Sequence, residues 1–118
     1  MRFNQEEFNT FALEHDVPRF FDDSLILNSG IKSHFYINWR KITNDAFLLD
    51  ELVGFVHNFC IDRNLQPDCF YGVPEGATKL GLFTQYKWAK QSSNYCIGSH
   101  GLLMGRGKEK KHGSPEDR

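Results

Sequence analysis

The stretch that most constrains the fold runs from Asp68 to Leu82, DCFYGVPEGATKLGL. Its first part, Cys69 to Val73, is a short apolar and aromatic run, which is typical of a strand covered on both faces in a mostly parallel sheet. Glycine and proline then interrupt the run, and helix-forming residues follow from Ala77 to Ala89. The pattern predicts a buried strand, a tight turn and a helix.

The turn between this strand and this helix is a candidate anion site. Its backbone amides and the positive end of the helix dipole converge at one place, and phosphate groups bind at such helix N-termini. The same three elements also occur in α/β proteins whose turns bind nothing. The local pattern alone therefore leaves both interpretations open.

Composition and charge indicate one globular domain. Hydrophobic residues make up 40% and charged residues 25% of the 118 residues, as in ordinary folded chains. The net charge of -1 gives no overall field that would attract nucleic acid or an anionic membrane. No apolar run approaches the roughly 20 residues that span a bilayer, and the N-terminus MRFNQEEF is too polar for a secretory signal. We expect a cytoplasmic protein.

The three cysteines are Cys60, Cys69 and Cys96, and they show no C-x-x-C spacing. The five histidines do not cluster near them at metal-ligand spacing. We expect reduced, structural thiols in apolar surroundings and no metal site formed by protein side chains.

The N-terminal half predicts a helix, a strand pair and a second helix. Asn4 and Glu7 form a variant of the capping box, with Phe3 stapled onto Phe8. Residues 24–27 and 34–41 are strand candidates joined by a turn at 28–30, and a long helix runs from a cap at residue 44 or 45 to about residue 63. The apolar stripe of that helix is predicted to contain Phe47, Leu48, Leu52, Phe55, Val56, Phe59 and Cys60. Residues 95–97 and 102–104 are further strand candidates.

Alternation in the second strand places Tyr36, Asn38 and Arg40 on one face. A phenol, an amide and a guanidinium on one face could bind a planar anion. The solvated face of an antiparallel pair gives the same pattern, so both interpretations stay open here. The basic stretch RGKEKKHGSPEDR from Arg106 onward is likewise either a phosphate clamp or an ordinary solvated tail.

Three segments together resemble the first half or more of the orotate phosphoribosyltransferases, a type I phosphoribosyltransferase family. Leu27 to Arg40, LNSGIKSHFYINWR, resembles the orotate-binding pattern L-x-S-G-x-x-S-x-x-Y. Tyr71 to Ala77, YGVPEGA, resembles the pyrophosphate-binding strand and turn. Arg106 to Gly113, RGKEKKHG, resembles the mobile catalytic loop.

The resemblance implies an α/β fold with a mostly parallel sheet flanked by helices, and with a hood built from an N-terminal helix and a hairpin. Residues 1–43 would form the hood and orotate-binding region, residues 44–105 the core, and residues 106–118 the mobile catalytic loop. The C-terminal part of the fold would be missing, because no acidic strand with a Thr/Gly-rich loop for the ribose 5-phosphate occurs in the sequence.

The implied reaction is transfer of a 5-phosphoribosyl group from 5-phosphoribosyl 1-diphosphate to orotate in pyrimidine biosynthesis. Mg²⁺ would be bound mainly through the diphosphate, and two subunits of a homodimer would share active sites. Cationic groups and a metal suit this chemistry because the leaving diphosphate is highly anionic. The 118-residue chain alone is expected to be inactive. The alternative is a truncated, non-catalytic binding or regulatory module of the same fold.

The resemblance assigns roles residue by residue. Catalytic residues would be Lys110, His112 and Arg106, and substrate-binding residues Ser29, Gly30, Tyr36, Arg40, Glu75, Gly76, Ala77 and Lys108. Glu75 stands at the position, immediately before the glycine of the turn, where some members carry a lysine, so we expect the turn to bind through its backbone amides. We expect no partner among nucleic acids or membranes.

Overall fold

The computed structural model describes residues 2–26, 30 and 32–107. Its helices and strands are α1 (Gln5–Glu14), β1 (Pro18–Ile26), β2 (Lys32–Ile37), α2 (Arg40–Thr43), α3 (Ala46–Asp62) and α4 (Thr78–Lys90). None of the helices within these ranges has the length and apolar character needed to cross a bilayer.

Helix α1 begins as the capping pattern predicts. The side chain of Asn4 accepts a hydrogen bond from the backbone N–H of Glu7 at 3.0 Å, which satisfies one unpaired donor of the first turn. The rings of Phe3 and Phe8 lie 5.9 Å apart across the cap, so the predicted staple is confirmed. Beyond the helix, Asp16 has a φ of 55°, a left-handed conformation that aspartate tolerates, and the chain turns into β1.

Strands β1 and β2 form the predicted antiparallel pair, with Pro18 opposite Ile37 and Ile26 opposite Lys32. The second strand is shorter than the predicted 34–41. The side chain of Asn38 accepts a hydrogen bond from the backbone N–H of Arg40 at 2.9 Å, and α2 begins at Arg40. Because this local bond competes with strand pairing, Arg40 lies on a helix and does not alternate with Tyr36 on one sheet face.

Helix α3 has the predicted cap and end, and its buried face agrees with the predicted one at Leu52 and Cys60 but not at Phe47. Asp45 accepts a hydrogen bond from the backbone N–H of Leu48 at 2.9 Å, and Asn64, just beyond the helix, has a φ of 53°. Phe47 is 71% exposed, so its assignment to the apolar stripe is wrong. The buried residues of α3 are Leu49, Leu52, Val53, His57 and Cys60. The buried face differs from the predicted apolar stripe because α3 packs against α4 as well as against the N-terminal elements.

The core joins the N-terminal elements to α3 and α4. Phe11, Val17, Ile42 and Leu52 form its buried cluster, and Phe8, Ala12, Trp39, Leu48, Phe55 and Leu80 pack against it. The ring of Phe55 lies 5.4 Å from that of Phe8 and 5.2 Å from that of Phe11. Contact with α3 therefore fixes α1, and Trp39 at the entry to α2 joins the same cluster.

The predicted strand at 69–73 is extended, but it pairs through a single parallel bridge, from Gly72 to Met104. Tyr71 and Val73 are 51% and 66% exposed, so the strand is not covered on both faces. Among residues 2–26, 30 and 32–107, the sheet is the two-stranded antiparallel pair. The mostly parallel sheet is not formed by these residues.

Two further sequence predictions need correction near the end of the described chain. Residues 95–97 form no strand, because the backbone N–H of Cys96 donates to the Ser99 hydroxyl at 3.1 Å and the N–H of Ser99 donates to the Cys96 carbonyl at 3.0 Å. These bonds close a local turn. Cys69 and Cys96 are exposed, so only Cys60 has the buried surroundings predicted for all three thiols. All three are free.

His57 is a buried titratable group on α3. Its ring lies 5.1 Å from that of Trp88 on α4, and its Nδ1 has no hydrogen-bond partner in the described part of the chain. Burial lowers the pKa of His57 below 6.5, the nearby Lys87 lowers that pKa further, and a hydrogen bond with Gln91 opposes the change. The neutral imidazole is the form that the fold favours.

This lowered pKa predicts a pH-dependent stability. The unfolded chain binds more protons than the folded chain in the window between the lowered pKa and 6.5. We expect the free energy of unfolding to be fully retained above about pH 6.5 and to fall as the pH drops through this window. Urea denaturation at several pH values would measure the slope. His57→Gln should remove the histidine component of that slope, and an unchanged slope would contradict the assignment.

Candidate functional site

The turn predicted to bind an anion lies between the extended segment and α4. The backbone N–H of Ala77 donates to the Val73 carbonyl at 3.1 Å, and the N–H of Thr78 donates to the Glu75 carbonyl at 3.3 Å. The amide of Ala77 is thus already paired within the turn. The amides of Glu75 and Gly76 have no such bond to any described residue, and these two donors are the ones a ligand could use.

Two glycines hold the turn close to its helix. A Cβ on Gly81 would overlap the backbone nitrogen of Gly72, and a Cβ on Gly72 would overlap the carbonyl oxygen of Ala77. Glycine at both positions therefore lets α4 lie directly on the extended segment. In addition, Lys79 Nζ donates to Asn44 Oδ1 at 2.7 Å, which ties the start of α4 to the residue between α2 and α3.

One cavity lies between the end of the strand pair and the turn before α4. It has a volume of about 440 Å³ and is lined on one side by Tyr36 and Arg40 and on the other by Gly76 and Ala77. Its remaining wall includes the apolar side chains Phe8, Trp39, Leu52, Val56 and Leu80. An apolar wall with a few convergent polar groups is typical of small-molecule sites. A phenol and a guanidinium at its rim suit a planar anionic ligand.

The start of the basic stretch lies against the turn. A Cβ on Gly105 would overlap the hydroxyl of Tyr71, and a Cβ on Gly107 would lie 2.9 Å from Oε1 of Glu75. Arg106, between these glycines, is thereby brought beside the turn. The Glu75 carboxylate points towards the backbone of Gly107, so it lies at the edge of the candidate anion site.

The predicted site residues divide into three groups. The cavity unites Tyr36, Arg40, Gly76 and Ala77. Glu75 precedes Gly76 in the turn, and Arg106 lies between two glycines that approach Tyr71 and Glu75, whereas Gly30, with a φ of 83°, does not line the cavity. Ser29, Lys108, Lys110 and His112 lie outside the described residues.

Sequence reasoning missed two contributors to this cavity. The predicted strand at 34–41 would put Trp39 on the face opposite Tyr36, but the chain leaves the strand after Ile37 and both side chains line the cavity. Leu80 on α4 supplies part of the apolar wall. The signal for Trp39 was Asn38, whose side chain can end a strand by bonding to the backbone two residues on.

A metal site formed by protein side chains alone is not found in the described ranges. No group of three or more His, Cys, Asp or Glu residues there could hold a metal ion. The turn itself carries one carboxylate, that of Glu75. A single carboxylate binds Mg²⁺ only together with further oxygens from water or substrate phosphates.

Comparison with known proteins gives a structural match. Neither models of protein families nor curated proteins match the sequence. Among the solved structures that match is orotate phosphoribosyltransferase from Francisella tularensis, with a TM-score of 0.53 and 22% sequence identity. The match covers 72% of this chain and 41% of that enzyme. The chain has a phosphoribosyltransferase fold.

This match confirms the resemblance drawn from the three motifs. The chain spans 41% of the length of the matched enzyme, which agrees with the expectation that the resemblance covers only an N-terminal part. At 22% identity the likeness establishes the phosphoribosyltransferase fold. The division of the chain into hood, core and catalytic loop remains a prediction.

The contact between Gly72 and Gly81 predicts an unusual effect of alanine. Alanine normally favours a helix over glycine by about 1 kcal/mol. Gly81→Ala should nevertheless lower the free energy of unfolding by about 1–3 kcal/mol, because its Cβ would overlap the backbone of Gly72. Urea denaturation measures the change.

Gly54→Ala on α3 is the matched control. A Cβ there would meet only Lys87 Nζ at 3.7 Å, so this substitution should raise the free energy of unfolding by about 0.5–1 kcal/mol. Equal effects of the two substitutions would show that the close approach of Gly72 to α4 is wrong.

Proposed function

We propose that this chain is part of an orotate phosphoribosyltransferase. The reaction is transfer of the 5-phosphoribosyl group from 5-phosphoribosyl 1-diphosphate to orotate, which gives orotidine 5'-phosphate and diphosphate in de novo UMP biosynthesis. The observation that carries the proposal is the single cavity lined by Tyr36 and Arg40 from the hood and by Gly76 and Ala77 from the turn.

The hood side of this cavity suits orotate. Orotate has a flat ring with apolar faces and a carboxylate at its edge. Tyr36 and Trp39 offer aromatic surface for the ring faces. Arg40 offers a planar guanidinium that can pair with the carboxylate through two parallel hydrogen bonds. The ring would thus be oriented by one charged group and held by two aromatic ones.

The turn side suits the diphosphate group of the second substrate. The amides of Glu75 and Gly76, which have no partner among the described residues, precede α4, whose N-terminal end carries partial positive charge. Magnesium would arrive on the diphosphate, which supplies the oxygens that the turn lacks. The two substrates would then meet across the width of one cavity.

The basic stretch would supply the charge that the leaving group needs. Arg106 already lies beside the turn, and the resemblance assigns Lys108, Lys110 and His112 to the same diphosphate. In this proposal Arg106 and Lys110 stabilise the developing charge and His112 donates a hydrogen bond or a proton. No protein nucleophile is required. The proposal also includes a homodimer whose subunits share active sites.

A binding or regulatory module of the same fold is the second candidate. The observation in its favour is Glu75, whose carboxylate lies at the anion turn and beside Gly107. A fixed negative charge there opposes a diphosphate by Coulomb repulsion. Such a module would bind orotate in the hood without binding the diphosphate.

Isothermal titration of orotate, and separately of magnesium diphosphate, distinguishes the two candidates. For the enzyme, both ligands should bind. Arg40→Gln should weaken orotate binding about tenfold or more, because the carboxylate loses a charged partner. Glu75→Gln should tighten diphosphate binding about threefold to tenfold, because a like charge is removed from the turn.

Two variants control for charge alone. Lys41→Gln removes a cation next to Arg40, but Lys41 faces Asp16 at 3.7 Å and does not line the cavity. Glu51→Gln removes a carboxylate from an exposed position on α3. Both should leave the two affinities within about twofold. Orotate binding without diphosphate binding in all variants would favour the module, and binding of neither ligand would refute the proposed function.

A further inference from the structure

Gln85 on α4 is a buried polar side chain that has no role in the proposed function as described above. It is 2% exposed, and both ends of its amide are paired. The backbone N–H of Phe70 donates to Gln85 Oε1 at 3.0 Å, and Gln85 Nε2 donates to the Gly101 carbonyl at 2.8 Å. Paired amides in a buried position are rigid links, since loss of either bond leaves a backbone group unsatisfied.

The two segments that Gln85 joins run side by side. They meet directly at the parallel bridge between Gly72 and Met104, and Phe70 and Gly101 lie just upstream of that bridge. The amide of Gln85 therefore takes the place of a peptide group between two parallel segments. One side chain thus extends a pairing that the backbone makes at only one point.

Each of these segments leads to a part of the candidate site. The segment after Phe70 enters the turn that carries the unpaired amides of Glu75 and Gly76. The segment after Gly101 leads to Arg106, beside the same turn. Gln85 also belongs to the helix that begins at this turn. The position of the turn relative to Arg106 is consequently set by Gln85 together with the bridge between Gly72 and Met104.

We propose that Gln85 is a positioning residue for anion binding. It fixes the register of the segments at 69–73 and 101–105, and it thereby sets the separation between the amides of the turn and the Arg106 guanidinium. The ligand in this role, a diphosphate, rests on the proposed function. The Gln85 clamp, which is the link that Gln85 makes between the segments at 69–73 and 101–105, rests only on its two hydrogen bonds and on the bridge between Gly72 and Met104.

When ionised, Gln85→Glu keeps one of the two hydrogen bonds and breaks the other, and the size of the side chain hardly changes. The ionised carboxylate still accepts from Phe70 N–H, but it repels the Gly101 carbonyl. When protonated, the introduced carboxyl again has one acceptor and one donor, so it restores both bonds. Burial raises the pKa of such a carboxyl, which brings the change into an accessible pH range.

Hydrogen exchange and diphosphate titration of the full chain provide the test. At a pH above the raised pKa of the introduced carboxyl, Gln85→Glu should speed amide exchange in 101–105 and weaken binding of magnesium diphosphate about tenfold relative to the unsubstituted chain. Both effects should diminish as the pH falls below that pKa. Orotate affinity should stay within about twofold, because Gln85 is not among the described residues that line the cavity with Tyr36 and Arg40.

Gln66→Glu is the control, since Gln66 is exposed and the charge change is the same. It should alter neither exchange nor diphosphate affinity by more than about twofold. If Gln85→Glu leaves exchange in 101–105 unchanged, the clamp is refuted. If exchange rises while diphosphate affinity holds, the positioning role is refuted. If the unsubstituted chain binds no diphosphate, the proposed function fails and the ligand role of Gln85 fails with it.

Discussion

Gly72 and Gly81 lie in direct backbone contact, and this contact determines how the turn between them is shaped. Since neither residue has a Cβ, α4 can start against the extended segment and the chain between them must turn tightly. The tight turn leaves the amides of Glu75 and Gly76 without partners in the described chain. Any larger side chain at either glycine would move α4 away and relax the turn. The shape of the candidate anion site therefore depends on a packing contact between two glycines.

A second contact surface brings the hood to this turn. Phe8, Phe11 and Phe55 pack together with the buried cluster around Leu52, and Leu80 on α4 joins them from the other side. Apolar burial of this kind stabilises a fold by about 1.5–3 kcal/mol for each large side chain. Because the same cluster holds α1, α3 and α4, the polar groups of the cavity are placed by the apolar core. Tyr36 and Arg40 are exposed at the rim of the cavity and do not belong to the buried cluster.

The sequence predicts the parts of this structure that are governed by local chemistry. Asn4 and Asp45 cap the helices as expected, because an N-cap needs only its own neighbouring amides. The buried face of α3 was misjudged at Phe47, since that face depends on where α4 packs and no local pattern reports it. The sequence does not predict the end of β2, because asparagine at residue 38 is compatible with a strand and with a turn. The tertiary structure decides between the two. No local pattern predicts that Tyr36 and Arg40 line one cavity with Gly76 and Ala77, because that arrangement depends on how α3 and α4 pack.

The proposed function requires one cavity to hold an orotate-like ring beside Tyr36 and Arg40 and a diphosphate beside the turn. Amide chemical shifts of the isotope-labelled chain measure both contacts in one experiment. Addition of orotate should shift the amides of Tyr36 and Arg40, and addition of magnesium diphosphate should shift those of Glu75 and Gly76, with both sets changed when both ligands are present. Shifts confined to the separate groove between α3 and α4, lined by Phe83 and Tyr86, would contradict it.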